Sequence, residues 1–354
     1  MADYKDFKIA IEALSGGRNT VLLDDAGLPS VVVRIPQMIS ADLVKGLPQH
    51  VHPGFITRGH EHMSVYLSKY PNIIRDGRAY SLPLQNPEGN VTYDDAILAS
   101  RKKGNGWSLM PASLWSALAL WCRKNNTEPR GNNFRGSAKL YPEESGVVIG
   151  TDSGKPSVTA TGSGPLSWYH DGTASGLADM VGNVSEWNAG MRLCHGEIQI
   201  VPNADSILPD VDLSESSTQW RAILPDGTLC EPGSKNTLKI DMENGKWKIS
   251  TKVLDPVDDA RGSLFRDMIF DAKELPQGVP TILKELTVFP AEDDRASYAE
   301  DLVFANNFQA ERICLRGGNW SSGLHSGVFY YAMDAKRNRC LPRLDFRSVF
   351  YDIE

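Results

Sequence analysis

Hydrophobic and polar residues alternate along much of this chain with the period of β-strands. Two β-rich runs flank the turn signal Asp-Ala-Gly-Leu-Pro within residues 19–35 (NTVLLDDAGLPSVVVRI), which predicts a hairpin. Residues 64–70 (SVYLSKY) alternate apolar and polar side chains and predict a half-buried strand. Residues 196–253 alternate around Pro-Asp-Gly and Glu-Asn-Gly turns and predict a meander. We therefore expect a chain of short strands and ordered loops.

Long stretches with helical periodicity are scarce, and two helices are predicted. Residues 111–124 begin with proline at a first-turn position and place Leu114 and Leu118 on one face, which predicts a helix packed on a core. A second helix is predicted near residues 263–275. Between the two, residues 128–164 are rich in glycine, serine, asparagine and threonine, which predicts a long irregular connection held by side-chain hydrogen bonds.

The composition argues against a nucleic-acid-binding protein and against a disulfide framework. The 354 residues carry 37 basic and 44 acidic side chains, a net charge of −7, and no polybasic run that could neutralise a row of phosphates. Nucleic acid is therefore not an expected partner. The five cysteines are scattered, odd in number and without a C-x-x-C pair, which is typical of reduced thiols.

Targeting signals are not evident in the sequence. Residues 1–13 lack the apolar core of a signal peptide, and no apolar run is long enough to span a membrane. We expect synthesis in the cytosol and no membrane insertion, which is compatible with assembly into a phage or virus particle.

A histidine cluster is the first candidate for chemistry. His50, His52, His60 and His62 form two pairs of alternate residues, and alternate residues on a strand project to one face, where two pairs could converge on a metal. The intervening residues 53–59 are typical of a loop that need not bring the pairs together. Surface and turn histidines are therefore the favoured interpretation, and no metal site is predicted.

Motifs for covalent catalysis and phosphate binding are missing. The sequence has no Gly-x-Ser-x-Gly elbow and no paired-carboxylate motif. Gly317 and Gly318 are followed by neither a helix start nor a lysine, so tight backbone geometry beside a strand explains them better than a phosphate loop. We predict no catalytic residue.

Residues 176–187 (GLADMVGNVSEW) bring Asp179, Asn183, Glu186 and Trp187 into close succession. Their oxygens either cap backbone amides and fix a loop, or hold a structural calcium ion, which favours carboxylate and amide oxygens. The capping role is the favoured interpretation, and calcium is the alternative.

The segment between Trp320 and Leu344 follows neither helical nor strand periodicity. It combines adjacent tyrosines with arginines and a histidine, the mixture that binding surfaces favour, whereas a plain loop is the alternative. We predict a ligand-binding surface of twelve residues: Ser321, Ser322, Leu324, His325, Tyr330, Tyr331, Asp334, Ala335, Arg339, Leu341, Pro342 and Arg343.

Five members of this surface, Tyr330, Tyr331, His325, Arg339 and Arg343, are expected to make most of the contacts. Because they should be exposed, alanine at both tyrosines is expected to abolish binding with little change in melting temperature.

Seven motifs occur in an order that resembles the formylglycine-generating-enzyme type of C-type-lectin domain, and within it the variable proteins of diversity-generating retroelements. The motifs are residues 30–38 (SVVVRIPQM), 64–72 (SVYLSKYPN), 106–121 (GWSLMPASLWSALALW), 129–133 (PRGNN), 176–187 (GLADMVGNVSEW), 315–320 (LRGGNW) and 344–349 (LDFRSV).

The resemblance implies an α+β, loop-rich C-type-lectin fold over nearly the whole chain. It implies one elaborated domain, residues 1–354, with a β-rich insertion at 196–304 and a C-terminal variable region at 316–350. It also implies scaffold roles for Arg316, Gly317, Gly318, Trp320, Gly182, Asn183, Trp187, Phe346 and Arg347.

The resemblance implies a function as well. The catalytic branch of the family has two cysteines shortly after its Arg-Gly-Gly motif, where this chain has Ser322 and Gly327, and an iron-dependent branch needs a histidine-rich helical domain that we do not find before this one. A non-catalytic, cofactor-free binding protein is therefore implied, with an unknown ligand that we expect to be a protein on a host or target cell surface. The alternatives are a formylglycine-generating-type oxidoreductase and a structural virion component.

The variable branch is diversified by rewriting adenines, so AAC and AAT codons become codons for many other residues. Such changes cannot produce Lys, Met, Trp, Glu or Gln, and none of these occurs at the twelve positions. The sequence is consistent with that origin.

Overall fold

The computed structural model describes residues 4–292 and 295–353, in which the chain is an α+β protein with mostly strands, few helices and many loops. The helices are α1 (Lys5–Ser15), α2 (Ser40–Leu43), α3 (Tyr93–Arg101), α4 (Ala112–Lys124) and α5 (Thr281–Glu285). The strands of the first half are β1 (Asn19–Leu23), β2 (Pro29–Pro36), β3 (Ile56–Thr57), β4 (His60–Glu61), β5 (Ser64–Ser68), β6 (Ile73–Arg75), β7 (Arg78–Tyr80), β8 (Trp107–Leu109), β9 (Ser137–Ala138), β10 (Tyr141–Ser145), β11 (Thr151–Asp152) and β12 (Lys155–Pro156).

The strands of the second half are β13 (Ser185–Cys194), β14 (Glu197–Ile200), β15 (Arg221–Ile223), β16 (Leu229–Cys230), β17 (Lys239–Glu243), β18 (Lys246–Ser250), β19 (Arg261–Leu264), β20 (Ile269–Phe270), β21 (Leu302–Ala305), β22 (Arg312–Arg316), β23 (Tyr331–Ala335), β24 (Leu344–Phe346) and β25 (Ser348–Phe350). No helix among the described residues is long and apolar enough to cross a membrane.

The first sheet joins the two ends of the chain in the order β1-β2-β5-β25-β8. Strands β1 and β2 form the hairpin predicted for residues 19–35, and β5 is the predicted strand of residues 64–70. Strand β25 lies between β5 and β8, since Val349 pairs with Leu67 on one side and with Ser108 on the other. The last strand is therefore an interior strand of the N-terminal sheet.

The second sheet has twelve strands and follows the path β19-β21-β23-β22-β13-β14-β17-β18-β20, with β15, β16 and β24 joined at its side. Strand β13 is central, since it pairs antiparallel with β14 and β22 and parallel with β24. Strands between residues 197 and 305 thus belong to the same sheet as β22 and β23, and β21 lies directly beside β23.

Helix α4 is the helix predicted for residues 111–124, and ten of its thirteen residues are buried. Pro111 stands at the N-cap in an extended conformation (φ −74°, ψ 146°) and precedes the first helical turn. The indole of Trp115 donates to the carbonyl of Val328 (2.8 Å), which ties the helix to the C-terminal segment.

The prediction of a second helix near residues 263–275 is wrong. That stretch contains part of β19, a single 3-10 turn at Phe265–Asp267, and β20. The buried Phe265 and Met268 are three residues apart, so a tight turn produces the same apolar spacing as a helix. The flanking backbone bonds instead to β21 and β18.

The irregular connection at residues 128–164 contains the short pairs β9–β10 and β11–β12. Side chains hold its backbone, as predicted. The amide of Asn132 donates to the carbonyl of Ser157 (2.7 Å) and its oxygen accepts from the backbone N–H of Gly136 (2.7 Å).

A buried ion pair connects the two sheets. Arg347, between β24 and β25, binds Glu186 of β13 through two bonds (Nε–Oε2 2.7 Å, Nη2–Oε1 2.6 Å), and neither side chain is exposed. Arg347 also donates to the carbonyls of Ser68 (3.2 Å), Lys69 (3.2 Å) and Ala178 (3.0 Å). One guanidinium therefore bonds to groups from both sheets and from the loop before β13.

Replacing Glu186 with Gln should lower the free energy of unfolding by about 3–5 kcal/mol, because breaking a buried pair leaves an uncompensated charge. Urea unfolding would measure the loss. The matched control is Asp210→Asn, which removes the carboxylate of the solvent-exposed Arg58–Asp210 pair and should leave stability unchanged within error. Equal effects of the two substitutions would contradict the role given to the buried pair.

Candidate ligand-binding site

Strand β23 divides the C-terminal segment into two faces. Tyr330, Ala332 and Asp334 face an open cavity. The intervening Tyr331 and Met333 have no exposed surface and belong to the hydrophobic core. Because side chains alternate across a strand, the period of two decides which residues of this segment can meet a ligand.

The cavity has a volume of about 410 Å³, and we call it the terminal cavity. Eight of the twelve residues predicted to bind a ligand line it: Ser321, Ser322, His325, Tyr330, Asp334, Arg339, Leu341 and Arg343. The remaining lining residues are Ser185, Ala260, Leu302, Phe304, Leu315, Asn319, Ala332 and Leu344.

Two glycines allow close backbone contacts near the terminal cavity. Gly317 lies in the loop after β22, and Gly182 lies in the loop before β13. Gly317 has φ +83°, and a Cβ there would lie 2.4 Å from the carbonyl oxygen of Met180. Gly182 has φ +71°, and a Cβ there would lie 2.4 Å from the carbonyl oxygen of Asn132. Any side chain at either position would push the loop away from its neighbours, so the close approach requires glycine.

Asn319, in the loop after β22, holds Ser321 and Ser322 by hydrogen bonds. The carboxamide oxygen of Asn319 accepts from the Ser321 hydroxyl (2.8 Å), and the Asn319 backbone N–H donates to the Ser322 hydroxyl (3.0 Å). The Asn319 side chain also donates to the hydroxyl of Ser185 at the start of β13 (3.3 Å). The serines are therefore held to the central strand of the large sheet.

The terminal cavity mixes charged, aromatic and hydroxyl groups. Arg339 pairs with Asp334 (2.7 Å), whereas Arg343 forms no ion pair with a described residue. The rings of Tyr330 and Phe304 lie 6.0 Å apart in a tilted contact. Burial raises the pKa of Tyr330, so its phenol stays protonated and can donate a hydrogen bond. This combination can recognise an anionic or hydrogen-bonding group beside an apolar surface.

Four of the twelve predicted residues lie outside the terminal cavity. Tyr331 and Ala335 are fully buried, and the Tyr331 hydroxyl donates to the carbonyl of Val288 (2.9 Å). Placing these two on the binding surface was wrong, because the segment was interpreted as irregular and its strand alternation was missed. Leu324 lines a different cavity, and Pro342 is exposed without lining the terminal cavity.

Tyr330 needs a related correction. It lines the terminal cavity but is only 7% exposed, so it is a wall of the cavity and also part of the core. The expectation that alanine at both tyrosines leaves the melting temperature nearly unchanged is therefore wrong.

The histidines of the candidate metal cluster have separate partners. His50 Nε2 contacts a carboxylate oxygen of Glu285 (2.6 Å), and His52 Nε2 contacts the Glu285 carbonyl (3.1 Å). His60 and His62 pack edge to face, with ring centroids 4.7 Å apart. Burial lowers the pKa of His52 to about 4. Residues 4–292 and 295–353 contain no group of three or more histidine, cysteine, aspartate or glutamate side chains arranged for a metal.

The oxygens of residues 176–187 bond within the protein. Asp179 accepts from the backbone N–H of Gly162 (2.7 Å), and the Asn183 side-chain oxygen accepts from the N–H of Thr159 (2.9 Å). Glu186 is the partner of Arg347. These contacts match the capping role that we favoured.

The terminal cavity is also lined by residues that were not predicted from the sequence. Leu302 and Phe304 come from β21, far along the chain from the predicted segment, and no local pattern indicates that β21 pairs with β23. Ala332 could have been found from the alternation of residues 330–335 (YYAMDA).

Comparison with known proteins gives no family assignment. No family model matches the chain, and no curated protein matches it. Among solved structures, PvdO from Pseudomonas aeruginosa is similar with 14% sequence identity and a TM-score of 0.37, covering 94% of this chain and 97% of that one. The Major Tropism Determinant U1 variant is similar with 10% identity and a TM-score of 0.32, covering 94% of this chain and 71% of that one. Both scores are below 0.5, so the fold description rests on the strand order and packing given above.

Truncating Tyr331 to alanine should lower the free energy of unfolding by about 3–5 kcal/mol, as expected for a large side chain removed from a packed core. His325→Ala, on the exposed side of the same segment, should change it by about 0.5 kcal/mol or less. Denaturant titration of both variants would test the assignment of the two faces, and a Tyr331 variant as stable as the His325 variant would refute it.

Proposed function

We propose that this protein is a non-catalytic ligand-binding protein that recognises a receptor through the terminal cavity. The proposal includes a C-type-lectin scaffold of the formylglycine-generating-enzyme type and diversification by a retroelement. The observation that carries it is the convergence of eight residues, chosen from the sequence as a variable binding surface, on one open cavity.

The arrangement of the segment supports a surface that can change without unfolding the protein. Ser321 and His325 are exposed, and Ser322, Asp334 and Arg343 are partly exposed. The backbone beneath them is held by pairing of β23 with β21 and β22. Exposed substitutions usually alter stability little, so the side chains can vary while the backbone stays in place.

The contents of the terminal cavity support recognition over catalysis. No cysteine is among the described residues that line it, and Ser322 and Gly327 stand where the resemblance places the catalytic thiols. A Cβ at Gly327 would lie 2.1 Å from Oδ1 of Asp301, so a cysteine would fit there only if Asp301 moved. Burial raises the pKa of the nearby Cys314, which disfavours its reactive thiolate form.

We propose that the partner is a protein on the surface of a host or target cell. A cavity of about 410 Å³ is large enough to receive one or two protruding side chains, while the exposed residues around it provide further contact area. Synthesis in the cytosol followed by assembly into a phage or virus particle would place such a protein where it meets a cell.

A display library randomised at Ser321, His325 and Arg343 should keep most members folded, as judged by resistance to protease. A matched library of the same size at Tyr331, Met333 and Ala335 should lose most of its members, because those side chains are fully buried. The proposed tolerance would be refuted by equal survival of the two libraries.

Sequencing of sister copies of the gene should find amino-acid differences concentrated at the eight cavity positions, with Glu186, Arg316 and Arg347 constant. A reverse-transcriptase gene and a near-copy of the last coding segment, differing mainly at adenines, should lie nearby. Invariant copies without those neighbours would remove diversification from the proposal, and binding by the terminal cavity would then stand on its own test.

A further inference from the structure

Three polar groups on the wall of the terminal cavity have a hydrogen to donate and no acceptor among the described residues. They are the Arg343 guanidinium, the Tyr330 hydroxyl and the Ser322 hydroxyl. Ser322 accepts from the backbone N–H of Asn319 (3.0 Å), which leaves its own hydrogen free. A guanidinium can donate but cannot accept, so a ligand that bonds to Arg343 must bring an acceptor.

All three groups are accessible from the cavity. Arg343 and Ser322 are partly exposed. Tyr330 is nearly buried, but the described polar atoms that are both enclosed and without a partner include none from these three residues. A ligand in the cavity can therefore reach their hydrogens.

Ser185 connects the two segments that carry Arg343 and Ser322. Its backbone N–H donates to the Arg343 carbonyl (2.8 Å), and its hydroxyl accepts from the side chain of Asn319 (3.3 Å). Asn319 in turn holds Ser322. The two donors thus belong to segments that are joined at the start of β13.

The charges of the cavity act on the Tyr330 hydroxyl. Burial raises the pKa of Tyr330 above its ordinary value and Asp334 raises it further, whereas Arg339 and Arg343 lower it. Both guanidinium groups are therefore close enough to stabilise negative charge at the Tyr330 oxygen. In a cavity of about 410 Å³, one ligand group can meet Arg343 and the Tyr330 hydroxyl together.

The terminal cavity is positive in a chain that is negative overall. Its charged lining residues among those described are two arginines, Arg339 and Arg343, and one aspartate, Asp334, which gives a net charge of +1 while His325 is neutral. The whole chain carries −7. Arg339 and Asp334 bind each other (2.7 Å), so the charge of Arg343 is the one left uncompensated. A cavity of this charge favours an anionic ligand.

We propose that the terminal cavity binds an acidic side chain, aspartate or glutamate, of the protein partner. Arg343 and the Tyr330 hydroxyl donate to its carboxylate, and bonds between a guanidinium and a carboxylate are charge-assisted and stronger than neutral ones. The methylene groups of that side chain pack on the apolar part of the wall, which includes Phe304 and Leu344. The inference rests on the proposed function and names the chemistry of its ligand.

The test titrates the full chain with Nα-acetyl-glutamate methylamide and follows binding by NMR of the methyl groups of Ala332, Leu341 and Leu344, which line the cavity. The acid should bind with a dissociation constant in the millimolar range, and more weakly as salt is added, because salt screens the attraction between charges. Nα-acetyl-glutamine methylamide, which has nearly the same shape and no charge, should bind about tenfold more weakly.

Variants at Arg343 locate the bound acid. Arg343→Gln should weaken its binding about tenfold, and Tyr330→Phe, which keeps the ring, a few-fold. Arg343→Glu should reverse the preference, so that Nα-acetyl-lysine methylamide binds and the glutamate compound does not. A residue with only a structural role would not produce that reversal. The control Arg34→Gln makes the same change in net charge at an exposed position of β2 and should leave binding unchanged.

Three results would overturn the proposal: no binding of the glutamate compound to the wild-type protein, equal binding of the glutamate and glutamine compounds, or acid binding that Arg343→Gln leaves unaltered. None of them decides the proposed function, because the survival of the two display libraries does not depend on the charge of the ligand. Arg343 is itself among the positions proposed to vary, so the preference for an acid belongs to this sequence and not to the fold.

Discussion

The bidentate contact between Glu186 and Arg347 sets the relation between the two sheets. Removing two charges from water costs several kcal/mol for each ion, and the cost is offset only where the geometry is good and the remaining donors are satisfied. Here two guanidinium bonds go to Glu186 and three more go to the backbone carbonyls of Ser68, Lys69 and Ala178. Displacing β25 relative to β13 would leave those groups unpaired in the interior. The pair therefore specifies one arrangement of the sheets, and with it the position of every element attached to β13.

The terminal cavity depends on that arrangement through β22, β23 and the loop of Gly317. A side chain that fills the core has to meet different requirements from one that lines the terminal cavity. Strand β23 places these two kinds of side chain on opposite faces. Tyr331 and Met333 fill the core, so replacing them would cost stability, whereas Asp334 on the opposite face pairs with Arg339. Tyr330 belongs to both groups, because it is nearly buried and still forms a cavity wall. Replacing Tyr330 should therefore cost more stability than replacing the serines or His325.

Local sequence patterns were sufficient to predict the elements that are formed by residues close together in the chain. The hairpin of β1 and β2 has a turn signal between two β-branched runs, and α4 has an apolar face with proline before it. They were not sufficient near Phe265, where a 3-10 turn reproduced helical spacing. The orientation of Tyr331 was missed for a similar reason, since five residues of strand are too few to be distinguished easily from a loop. The contribution of Phe304 comes from pairing between distant segments, which a single sequence does not encode in any local period.

The position of β25 makes completion of the first sheet depend on residues 348–350. Residues 348–350 must insert between β5 and β8, so the N-terminal sheet stays open, with two exposed edges, until translation has passed the whole segment that lines the terminal cavity. A frameshift within that segment would replace β25 and Arg347 together. The product would be left with unpaired strand edges and an uncompensated Glu186, a state prone to aggregation and proteolysis. A chain shifted in frame within that segment therefore loses the interior strand of the first sheet and the ion pair between the two sheets, whereas a chain altered only in exposed side chains keeps both.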